Sequence, residues 1–157
     1  TTPLISLPVL GLNPVGWHDA ESQLVSQYFS LTSVAFQMMN DIQNINLGKQ
    51  TIAPASDLRE LRPNAVIAKF YEKLPELDKK LFAKSRYGRK FEKNDARLNF
   101  WWEQVLLSDS MESTKQSLSD KLLRSQHILN SLSNKNKQIL QPFDLWLHGS
   151  YRKLSSL

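Results

Sequence analysis

Apolar residues recur at Leu24, Tyr28, Leu31, Ala35, Met38, Met39 and Ile42, the three-and-four spacing that gathers one stripe on a helix. This predicts a first long helix from about Asp19 to Ile42. It is expected to stop in Asn44-Ile45-Asn46-Leu47-Gly48, because Asn and Gly favour the left-handed backbone that ends helices, and Pro54 marks a loop. Ser56 or Asp57 can cap a short turn through Leu61, and Pro63 suits the first turn of the next helix, where its missing amide costs nothing. That helix carries Val66, Ile67, Phe70, Tyr71 and Leu74. Pro75 is expected to kink or restart it, with Leu77 and Leu81 continuing the apolar stripe towards Gly88.

Asn94 or Asp95 can cap a further helix whose Leu98, Trp101, Trp102, Val105 and Leu106 form a broad apolar face. Ser108-Asp109-Ser110 interrupts the pattern and predicts a break. Met111, Leu118, Leu122, Leu129 and Leu132 then define another helix, and Ser133-Asn134-Lys135-Asn136 a polar turn. The last helical stretch holds Ile139, Leu140, Phe143, Leu145, Trp146 and Leu147. It is expected to be interrupted by Pro142 and closed near Gly149. Strand signals are almost absent, so the expected fold class is all-α, an irregular bundle of five to six helices.

The N-terminus stands apart. Thr1 to His18 has no formal charge and is rich in Leu, Ile and Val, but Pro3, Pro8, Pro14, Gly11 and Gly16 forbid a continuous helix there. Residues 1–18 therefore read as an extended apolar arm that buries its leucines along its own bundle or against a second copy, a route to self-association. At 157 residues and 41% hydrophobic content, the chain suits one helical domain, 1–157, with a continuous core. No stretch approaches the roughly 18 to 20 apolar residues of a bilayer span. With no cysteine, thiol chemistry and disulfides are excluded, but the compartment stays open.

Charge adds the one localised feature. Between Lys79 and Arg97 lie Lys79, Lys80, Lys84, Arg86, Arg89, Lys90, Lys93 and Arg97 against only Glu92 and Asp95, while the whole chain is net +5. Positive charge held in so short a window attracts polyanions and acidic surfaces. Tyr87-Gly88-Arg89 reads as a turn in its middle, giving a basic helix-loop-helix corner.

Catalytic chemistry finds little support. His18, His127 and His148 are far apart, and none has a second His or a carboxylate at helical metal-motif spacing. His127 reads as a helix-surface residue and His148 as a C-terminal residue bonding free carbonyls beside Gly149. Glu72 and Glu76 read as a solvated face among Lys73, Lys79 and Lys80. Leu147-His148-Gly149-Ser150-Tyr151-Arg152 resembles the Gly-Ser start of a nucleotidyltransferase site, but no acidic residue follows Asp144 to hold that family's metal ions. No cofactor is implied.

Three partners suit the basic corner. Nucleic acid would use its cations for phosphates and Tyr87, Phe91 or an exposed tryptophan for base stacking. Anionic lipid would draw the same cations, with Phe82, Tyr87 and Phe91 dipping into the interface. An acidic protein would be steered by the same field, with Arg86, Tyr87 and Trp101 as hot-spot residue types. The favoured reading is a non-catalytic adaptor, scaffold or targeting module. It contacts an acidic protein or an anionic membrane surface through Lys79, Lys80, Lys84, Arg86, Tyr87, Arg89, Lys90, Lys93 and Arg97. Nucleic-acid binding is the first alternative, and an enzyme with a site assembled from scattered polar residues the second.

Overall fold

The computed structural model describes residues 20–51, 53–86 and 95–155. Among them are seven helices: α1 (Ala20–Thr51), α2 (Ser56–Glu60), α3 (Ala65–Lys73), α4 (Glu76–Arg86), α5 (Ala96–Leu107), α6 (Ser110–Ser131) and α7 (Asn134–Ser155). No strand occurs among the described residues, so the fold is all-α as the apolar spacing predicts. No helix among them is long and apolar enough to cross a membrane. The apolar arm, residues 1–18, lies outside the described residues. Two compact units divide the chain, one ending at Met39 and resuming at Ser117, the other running from Asn40 to Gln116. Helices α1 and α6 contribute to both.

The terminal unit packs the first part of α1 against α6 and α7. Val25, Tyr28, Leu129, Leu132 and Leu140 form its centre, with Leu24, Phe29, Ile128 and Phe143 packed around them. Glu21 accepts a hydrogen bond from the Ser133 backbone amide at 2.6 Å, fixing the α6–α7 turn beside the start of α1. A hydrogen bond from the Ser133 side chain first, and this backbone bond second, hold the Glu21 carboxyl below its ordinary pKa.

Helix α7 corrects two expectations, for it runs through both Pro142 and Gly149 to Ser155. Proline removes one amide donor, but Pro142 and Gln138, whose carbonyl loses that donor, lie on the exposed side where water replaces the bond. Leu140, Asp144, Leu147 and Leu154 remain buried on the opposite side. That face carries the helix past its weak positions.

The central unit starts from another correction. Helix α1 does not stop at Asn44–Gly48 but continues to Thr51. Asn44 there has tertiary partners, whereas the Asn46 side-chain nitrogen is buried without one among the described residues. The Asn44 amide donates to Ser56 Oγ at 2.7 Å, and its carbonyl accepts from the Asp57 amide at 3.2 Å. Thus Asn44 serves the first turn of α2, whose N-cap residue Ala55 has no side-chain acceptor. Gly48 gives room: a Cβ there would lie 2.8 Å from the Trp102 ring and 2.9 Å from the Ala53 carbonyl oxygen.

Asn64, rather than Pro63, starts α3. Its carbonyl accepts from the amides of Val66 at 2.9 Å and Ile67 at 3.3 Å, while Asp41 accepts from Ala65 at 2.7 Å. Three orphan donors of the first turn are thereby satisfied. Leu74 turns extended before Pro75, and α4 begins afresh. Asp95 caps α5 by accepting from the Arg97 amide, and the predicted break falls at Ser108–Asp109. Phe70, Phe82 and Trp101 meet edge-on, with ring centroids 5.0 to 6.3 Å apart, and close this core.

Candidate binding surface

Helix α4 forms because the proline at its entry fixes a new start and the following residues are good helix formers, with Glu76 and Asp78 favouring its positive end. Its phase is set by Phe82, only 1% exposed against Phe70 and Trp101. Burying Phe82 turns Leu77, Lys80, Leu81 and Lys84 outward, since positions three and four apart share one side. Leu77 is 70% and Leu81 50% exposed. This reverses the expectation that the two leucines continue the apolar stripe, and it withdraws Phe82 from the interface that the lipid reading gave it. The restart at Pro75 resets the helical phase, so the stripe of α3 does not carry into α4.

The basic residues differ in what surrounds them. Lys79 and Arg97 are held by acids of their own neighbourhood. Lys79 Nζ donates to Glu76 Oε1 at 2.8 Å, which holds the ammonium above the ordinary lysine pKa. Arg97 grips Asp95 through Nε at 3.0 Å and a second nitrogen at 2.6 Å. These bonds hold the Asp95 carboxyl below its usual range and raise the guanidinium further. Lys80 and Lys84 are exposed, and no described carboxylate pairs with either. Arg86 closes α4. Tyr87, Arg89, Lys90 and Lys93 lie outside the described residues, as does Phe91.

Trp101 and Trp102 are core residues, 6% and 7% exposed, so neither offers a ring for base stacking or a protruding anchor. His148 lies in mid-helix rather than at a helix end, so no free carbonyls surround it. Against the expectation that no histidine has a carboxylate at helical spacing, Asp144 lies one turn before it, with His148 Nε2 3.8 Å from Asp144 Oδ2. Asp144 itself is buried and accepts from the Tyr28 hydroxyl at 3.2 Å. Burial first, and the adjacent carboxylate second, push the Tyr28 phenol far above its ordinary pKa. His127 is exposed on α6 as expected.

Two clefts lie in the central unit. One of about 430 Å³ is lined by Gly48, Lys49, Pro54, Asn99, Trp102, Glu103 and Leu106. The other, of about 250 Å³, lies between α3 and α5, and Lys73 and Asp109 at its edge pair at 2.7 Å. Neither is lined by His127 or His148. No three potential metal ligands gather among the described residues. Comparison with family models, curated proteins and solved structures finds no match for this chain.

Proposed function

We propose that this chain is a non-catalytic helical binding module, an adaptor, scaffold or targeting domain, that meets an acidic protein surface or anionic lipid head groups through α4 and the basic residues following it. The observation carrying the reading is the outward face of α4, where Lys80 and Lys84 stand exposed immediately before Arg86, Arg89, Lys90 and Lys93 in the sequence. Exposed cations with no carboxylate partner keep their long-range attraction for anions. The pairing of Lys79 and Arg97 narrows the effective cluster to its middle.

Nucleic acid is the second reading, and the two tryptophans of α5, which lie in the core, offer it no stacking platform.

The test is retention on immobilised polyglutamate, anionic vesicles and oligonucleotides at low salt. The variant carries Arg86→Glu, Arg89→Glu and Lys90→Glu together. The native chain is expected to be retained on polyglutamate or vesicles, and the triple variant to pass through with unchanged helix content. Retention on oligonucleotides alone, with the steep salt dependence of phosphate binding, would establish the nucleic-acid reading. Retention on none of them would end the proposal.

A further inference from the structure

We infer that the outward face of α4 is a docking site for an anionic phospholipid surface, with Leu77 and Leu81 entering the headgroup boundary and Lys80 and Lys84 meeting phosphates. The inference rests on the binding-module reading and names its partner. Two leucines one turn apart, 70% and 50% exposed, are costly in water and are interleaved with the only two described lysines of α4 that have no acid beside them. Lysine stems lie along apolar surface while their heads reach outward, the arrangement that lets a cation sit at the phosphates above an inserted leucine.

Charge complementarity favours lipid over an acidic protein. Both cations are lysines, point charges on flexible stems, rather than arginines whose planar fork reads fixed carboxylates. Mobile phosphates need no fixed register. Of the two acids in the first turn of α4, Glu76 is held by Lys79, which leaves Asp78 as the one α4 carboxylate set against Lys80 and Lys84. Phe82, which faces the core, takes no part.

The full-length chain would be sedimented with vesicles of phosphatidylcholine alone and with added phosphatidylserine, and passed over polyglutamate in parallel. Two variants separate the contributions: Leu77→Ser with Leu81→Ser, and Lys80→Glu with Lys84→Glu. Of the two kinds of vesicle, only those with phosphatidylserine are expected to bind the native chain, which is also retained on polyglutamate. The lysine variant should weaken it about thirtyfold or more and also reduce polyglutamate retention. The leucine variant should weaken vesicle binding about tenfold while leaving polyglutamate retention intact. Circular dichroism checks that both variants keep their helices. Retention on polyglutamate without vesicle binding overturns the lipid inference and leaves the module reading standing. Retention on neither overturns both. Vesicle binding that the leucine variant retains in full overturns the docking face proposed here.

Discussion

Both units gather aromatic rings around a buried centre, and each leaves an edge in water, at Phe100 in the central unit and at Trp146 in the terminal one. In the central unit Phe70, Phe82 and Trp101 meet edge-on, and Phe82 and Trp101 are buried. In the terminal unit Phe36, Phe143 and Trp146 lie tilted or stacked, and Trp146 stays 52% exposed. Their polar groups differ. Tyr28 and Asp144 satisfy each other between two helices, whereas Asp41, Asn44 and Asn64 satisfy backbone amides at helix starts. The difference teaches that one helix, α1, holds two units by different means. Its first part supplies apolar surface and a buried phenol, and its last part supplies acceptors that order short helices.

The sharpest test of that contrast is aromatic truncation. Phe82→Ala should cost about 3–5 kcal/mol in urea unfolding, while Trp146→Ala should cost about 1–2 kcal/mol because half its surface already meets water. Equal costs would break the distinction between the buried centre of one cluster and the exposed edge of the other. Leu81→Ala, beside Phe82 in sequence, should stay within about 0.5 kcal/mol.

The polar contrast is tested next. Tyr28→Phe removes the hydroxyl that bonds buried Asp144 and should cost roughly 1–3 kcal/mol. The folded phenol titrates above its unfolded value, so its contribution is complete below the ordinary tyrosine pKa and is lost as pH rises beyond it. Tyrosine absorbance during alkaline titration should show Tyr28 ionising only as the terminal unit unfolds. Early ionisation would place it in solvent. At the acid end, Glu21 titrates below its ordinary value, so its contribution fades as pH falls through the carboxylate range.

Two glycines are expected to give outcomes of opposite sign. Gly48→Ala should destabilise by about 1–2 kcal/mol, because crowding against Trp102 and the Ala53 carbonyl outweighs alanine's helix preference. Gly149→Ala meets nothing within 4 Å and should stabilise by about 0.5–1 kcal/mol. Thermal melting of both variants measures the contrast. Melts both shifted upward would show that propensity alone governs these positions.

The residues that read correctly from sequence are those whose cause is local. Pro75, Ser108 and Asp109 break helices through their own backbone chemistry, and Asp95 caps α5 from its own side chain. Gly48, Pro142 and Gly149 read as terminators, yet each lies inside a helix. Trp102 takes the space at Gly48, while buried neighbours on α7 hold Pro142 and Gly149 in register. For the candidate surface, the basic run was legible as charge. Its pairing was not: Glu76 and Asp95 neutralise the two ends, and only the phase of α4 shows that the leucines accompany Lys80 and Lys84.

Three-and-four apolar spacing and the absence of strand alternation determined the all-α class from the sequence alone, because helical periodicity is written in every turn. Tertiary structure alone decided which α4 residues face water, which asparagine serves which helix, and which glycine is needed for space. Those outcomes depend on side chains distant in the chain: Trp102 against Gly48, Asn44 beside Asp57, and Trp101 against Phe82. No local pattern carries such contacts.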